Sequence, residues 1–146
     1  MYSSEKLYNN DFYAWTSATS QLLRQHKFSE IDIDALVEEL DGMSARERRE
    51  LMSRLDVLVM HLLKWQLQPG HRSHGWDGTI REQRRQISRL LKISPSLRRL
   101  LLETLVAIYS DAVERAAYET GIAEDLFPKT SPYTIEQILD KSFYPK

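Results

Sequence analysis

Residues 44 to 68, SARERRELMSRLDVLVMHLLKWQLQ, constrain this chain more than any other stretch. Ser44 followed by Glu47 has the pattern of a capping box, in which a hydroxyl and a carboxylate satisfy backbone N–H groups that the first helical turn leaves unpaired. Pro69 and Gly70 end the segment. At about 100° per residue, Leu51, Leu55, Leu58, Leu62 and Trp65 fall on one face, the stripe of an amphipathic helix. In the second half Val57, Val59, Met60, Leu63 and Leu67 extend the apolar surface most of the way round, which requires burial among other helices. The segment therefore reads as a long central helix.

A chain of 146 residues has the length of one ordinary domain and can bury a sizeable core without metal or disulfide staples. It contains no cysteine, which removes disulfide frameworks, thiolate nucleophiles and thiolate zinc sites and fits a reducing compartment. The N-terminal MYSSEKLYNN lacks the basic-then-apolar order of a signal peptide. No apolar run approaches the roughly 20 residues of a membrane span. A cytoplasmic protein without a membrane partner is expected.

The net charge of −1 hides an uneven distribution. Residues 1 to 60 carry 7 basic and 11 acidic side chains, residues 61 to 100 carry 9 and 2, and residues 101 to 146 carry 4 and 8. A basic middle between acidic ends implies complementary surfaces, packed within the chain or presented to a partner.

Along the chain, residues 11 to 25 place Phe12, Trp15, Thr19, Leu22 and Leu23 on one helical face, with Asn9 or Asn10 as cap. A shorter helix, IDIDALVEELDGM, is capped by Asp32 or Asp34 and stopped at Gly42, with Ile33, Leu36, Val37 and Leu40 facing inward. After the central helix, PGHRSHGWDG reads as a loop, with Trp76 as a plug for the core. From about Gly78 to Lys92, Ile80, Ile87, Leu90 and Leu91 gather on one side, while Arg81, Arg85, Arg89 and Lys92 form a basic stripe roughly opposite. Arg84 lies near the apolar side, where it needs a carboxylate or carbonyl partner. Ser94-Pro95 starts a second long helix, closed by Gly121. Its main seam is Leu101, Leu105, Ile108, Ala112 and Ala116, widened by Leu102, Val106, Tyr109 and Val113. A short helix capped by Thr134 and an apolar tail pack back on the bundle.

The ordered blocks DFYAW, IDIDALVEELDGM, LMSRLDVLVMHLLKWQLQP, TIREQRRQI, SPSLR, AYETG and PYT make the chain resemble the bacterial domain-of-unknown-function family twenty-nine. The resemblance implies an all-helical cytoplasmic protein and carries no biochemical function with it. Members often have Cys-Pro-Tyr near the end, whereas Ser131-Pro132-Tyr133 stands here, so no role that needs that thiol applies.

Three kinds of chemistry compete for the polar residues. Arg54, His61, Lys64 and Gln68 share one arc of the central helix, and His61 with Lys64 could act in acid–base chemistry if Glu38, Glu39 or Glu119 were brought near. The simpler reading is an interface network, since no nucleophile, base and orienting group stand together. His61, His71 and His74 are histidines that could bind a metal with a carboxylate, but the spacing of His71 and His74 is not that of a helical ligand pair. The stripe Arg81, Arg85, Arg89 and Lys92, followed by Arg98 and Arg99, could meet nucleic-acid phosphates. It could equally anchor a protein partner, because the guanidinium fork pairs with carboxylates while its stem covers apolar area.

The sequence therefore predicts an all-α fold, a compact bundle of about five to six helices in a single domain over residues 1–146. Two long antiparallel helices, 44–68 and 95–120, are expected at its centre. The expected role is a non-catalytic protein-interaction module of the general character of antitoxins, immunity proteins and adaptors, with no cofactor. Its binding residues would be Arg81, Arg85, Arg89, Lys92, Trp76, His71 and His74. Nucleic-acid binding through the basic stripe, or a small enzyme or metal protein centred on His61, are the alternatives.

Overall fold

A computed structural model describes residues 4–146, and all its regular elements are helical. The reading of MYSSEKLYNN as free of an export signal falls partly on residues 1–3, outside the described residues. Six α-helices follow in order: α1 (Ser4–Asn10), α2 (Phe12–Arg24), α3 (Ile33–Leu67), α4 (His74–Ile93), α5 (Leu101–Thr120) and α6 (Ile135–Leu139). Short 3₁₀ turns lie at Phe28–Glu30, Pro69–His71, Pro95–Leu100 and Glu124–Leu126. The chain divides into two compact units, residues 1–46 and residues 47–146.

In the first unit Asp11 caps α2, its carboxylate accepting from the Ala14 N–H at 3.1 Å. Asn9 and Asn10, expected as caps, instead end a separate helix, α1. Trp15 is buried, with the ring centroids of Tyr8 and Phe12 at 4.6 and 5.7 Å. Asp32 caps α3 by accepting from Ala35 N–H at 3.1 Å. The face predicted to point inward is open: Ile33, Val37 and Leu40 are each about half exposed, and Ala35 is the buried position.

Gly42 does not stop this helix. Nothing there imposes the left-handed backbone of a C-terminal glycine, and among the described residues glycine adopts that conformation only at Gly121. An interior glycine costs roughly 1 kcal/mol of helix propensity, too little to break a run whose following turns are held by a packed face. The expected capping box at Ser44 therefore has no helix start to serve, and Glu47 accepts a hydrogen bond from Ser94 Oγ at 2.7 Å.

The second unit holds the main core. Leu51, Leu55, Leu58, Leu62 and Leu63 of α3 are sealed from solvent together with Ile80, Ile87 and Ile138. Burying a leucine of this kind stabilises by about 1.5–3 kcal/mol. The pairs Glu47–Ser94, Arg54–Gln83 and Lys64–Trp76 descend along α4 as they climb α3, so these two helices run antiparallel. By contrast Asp56–Arg115, Lys64–Glu119 and Gln68–Thr120 climb together. Both long helices are present, but α5 runs in the same sense as α3, and the antiparallel expectation is corrected. The reason is the connection: α4 intervenes as a return stroke between two short links.

Two helix starts also differ from the sequence reading. Ser73 caps α4, its hydroxyl accepting from Trp76 N–H at 3.2 Å, so His74, Trp76 and Asp77 belong to the first turn rather than to a loop. Ser94-Pro95 opens a 3₁₀ turn, and α5 begins at Leu101. At the other end Gly121 closes α5 at φ 74°, as expected. Thr134 forms a complete capping box with Gln137 at the start of α6.

The tail is fastened by α4. Arg84, almost fully buried, donates from Nε to Ile138 O at 2.8 Å and from Nη2 to Phe143 O at 2.8 Å. Its guanidinium lies 5.4 Å from the centre of the Tyr144 ring. The carbonyl partners that the sequence reading required for Arg84 are thus supplied by the C-terminal segment. Arg72 holds Trp65 O at 2.8 Å, and the Tyr144 hydroxyl donates to Asp77. That bond holds the Asp77 carboxyl below its ordinary range.

Candidate interaction surface

The polar arc of α3 is occupied by bonds between elements. Arg54 reaches Gln83 at 3.4 Å, and Gln68 donates to Thr120 O at 3.2 Å. His61 Nδ1 donates to Val57 O at 2.8 Å, one turn back on its own helix. Burial, the largest influence, pulls its pKa below the ordinary histidine value, so the ring is neutral at neutral pH. Lys64 is buried, with Nζ 3.4 Å from Glu119 Oε1 and 4.7 Å from the centre of the Trp76 ring. Trp76, expected as a plug for the core, is half-buried and meets this cation between α3 and α4.

Of the carboxylates considered for this arc, Glu119 is the one beside Lys64. Glu39 accepts from the Tyr8 hydroxyl at 2.6 Å, and Glu38 is exposed. His71 and His74 are exposed, at the end of a 3₁₀ turn and the start of α4. Among the described residues, no group of three or more His, Asp or Glu side chains is gathered in a way that could hold a metal.

The basic stripe separates into two halves. Arg81 donates to Asp77 at 3.1 Å, and Arg85 donates to Glu82, both within α4. Arg89 and Lys92 are exposed, and no ion pair involves them among the described residues. Arg98 and Arg99 are also exposed, in the 3₁₀ turn that follows. The free cations therefore lie around the α4–α5 turn rather than along the whole of α4.

Arg98 also stands at the edge of an apolar groove. One side is α5, with Leu101, Leu102 and Leu105, and the other is the segment Tyr133, Ile135 and Leu139, with Glu136 as the one carboxylate of the lining, around a cavity of about 810 Å³. A second cavity of about 340 Å³ shares Leu102, Leu105 and Tyr133 and continues past Val106 to Lys129 and Ser131. Together they form one groove along α5 with Arg98 at one end and Lys129 towards the other.

The groove exists because the tail covers only part of the wide apolar arc of α5. Tyr109 donates to Pro128 O at 2.6 Å, and the Tyr133 hydroxyl reaches Gln66 Oε1 at 2.7 Å, which pins the segment over Leu105. Ser131 Oγ donates to Tyr133 O at 2.9 Å and so shapes the turn between them. Leu102 and Val106 stay 66% and 72% exposed, although the sequence reading had them widening the buried seam. An apolar arc broader than one seam was the available signal. What it lacked was the path of the Pro128–Pro132 stretch, which no periodicity encodes.

No helix among the described residues is long and apolar enough to cross a membrane. No curated protein and no solved structure matches the chain. The family model described as Domain of unknown function DUF29 matches residues 7–144, which is nearly the whole chain, and the chain belongs to that family.

Proposed function

We propose that this protein is a non-catalytic interaction module of the bacterial cytoplasm, and that its α5 groove takes an acidic, amphipathic segment of a protein partner. The observation that carries the reading is the pairing of exposed Leu102 and Val106 with cations at the groove's rim, Arg98 and Lys129, and with Arg99 nearby. Apolar side chains entering such a groove supply affinity, and carboxylates meeting the arginine forks supply orientation and rate. Trp76 and Lys64 belong to the framework in this reading. Arg89 and Lys92 extend the field that attracts the partner.

Titration of a labelled acidic amphipathic helical peptide against the full chain, followed by fluorescence anisotropy, tests the proposal. Saturable binding is expected, weakened at least tenfold by Leu102→Asp or by Arg98→Glu. These positions are exposed, so each substitution should shift stability by no more than about 0.5 kcal/mol. Absence of binding, or binding indifferent to both substitutions, would refute it. The exposed cations at Arg89, Lys92, Arg98 and Arg99 favour nucleic acid as the second reading. That reading gains if an RNA or DNA oligonucleotide binds with affinity falling steeply as salt rises while the peptide does not bind.

A further inference from the structure

An exposed apolar stripe on α3 has the chemistry that the groove calls for. Ile33, Val37 and Leu40 recur at spacings of four and three, so they line one side of α3, at 53%, 48% and 55% exposure. Asp34, Glu38 and Asp41 each follow one position on and are all exposed, forming an acidic stripe beside the apolar one. The other side of these turns is already used within residues 1–46, where Ala35 is buried and Glu39 accepts from Tyr8. What is left outward is an acidic amphipathic helix with anchors at i, i+4 and i+7, the form that lies in an apolar groove.

We infer that a second copy of this chain occupies the α5 groove, presenting the Ile33–Val37–Leu40 stripe of its own α3. The inference rests on the groove reading proposed above. Charge supports this pairing: residues 1–46 carry 4 basic and 8 acidic side chains, and residues 47–146 carry 16 and 13. Like units of two copies repel and unlike units attract, which selects a crosswise arrangement. Length agrees as well. Ile33 to Leu40 rises about 10 Å, within the roughly 14 Å of α5 backbone between Leu101 and Ser110 along which the groove runs. Each copy has one stripe and one groove, and a two-fold dimer that exchanged both contacts would leave neither surface open.

Sedimentation velocity of the full chain over the micromolar range tests this with two variants at exposed positions, Val37→Asp in the stripe and Leu102→Asp in the groove. Circular dichroism establishes that each variant keeps its helicity. The expected result is a concentration-dependent dimer for the unmodified chain and a monomer for either variant alone. An equimolar mixture of the two variants should associate again, because the intact stripe of one meets the intact groove of the other. A chain monomeric throughout the range, variants that associate as the unmodified chain does, or a mixture that fails to recover would each overturn the inference. If the acidic peptide binds the groove while the chain stays monomeric, the groove reading stands and the second copy is excluded. If neither occurs, both fall.

Discussion

Within residues 47–146, α3 seals Leu51, Leu55, Leu58 and Leu62 completely, whereas within residues 1–46 the same helix leaves Ile33, Val37 and Leu40 about half open to solvent. Among the described residues, eight of the fourteen large apolar side chains that remain exposed lie in that first unit. One helix with one period thus serves two ends. Where neighbours cover its stripe, apolar area becomes fold stability. Where they do not, the same pattern becomes surface available for association. Amphipathic periodicity locates a stripe, and only tertiary packing decides which of these it becomes.

The sharpest way to break the contrast is to loosen the packed unit. Arg84→Ala removes the donors to Ile138 O and Phe143 O from a buried site and should destabilise the protein by about 3 kcal/mol, read from the urea midpoint. Arg84→Lys should recover little, because an ammonium lacks the fork that reaches both carbonyls. Recovery close to the unmodified protein would show that charge, not geometry, fastens the tail.

Two glycines sharpen the comparison through opposite signs. Gly121→Ala places a side chain at φ 74° and should cost about 1 kcal/mol. Gly42→Ala sits mid-helix with no heavy atom within 4 Å of the added carbon and should gain about 0.5–1 kcal/mol. Thermal unfolding of the two variants checks both, and a loss at Gly42 would contradict the continuous helix.

The smallest effect is expected at His61. Burial lowers its pKa, so as pH falls below about 6.5 the unfolded chain takes up the proton first. Its contribution is intact above that pH and is lost as pH falls towards the folded-state value. His61→Gln should flatten this part of the stability profile, and an unchanged profile would mean that other groups control it.

The helical class, the buried leucines of α3 and the seam of α5 were legible because their periods are local. So were the Gly121 stop and the Thr134 cap, whose chemistry is complete within four residues. Gly42 misled because a glycine inside a helix and a glycine ending one look alike in sequence. The sense of α5 relative to α3 was hidden for another reason: it depends on α4 being a full return stroke. Leu102 and Val106 were recognised as apolar but assigned to the core, since their exposure follows from where the tail runs. The basic stripe was seen whole, while its division into paired and free halves depends on Asp77 and Glu82, one turn or less away on the same helix.

Amide hydrogen exchange along α3, read by mass spectrometry at low and at high protein concentration, tests the contrast between the two regions most directly. Residues 51–67 should be strongly protected at both concentrations. Residues 33–46 should exchange faster at low concentration and gain protection as concentration rises. Equal protection along the whole of α3 at the lowest concentration would contradict the account.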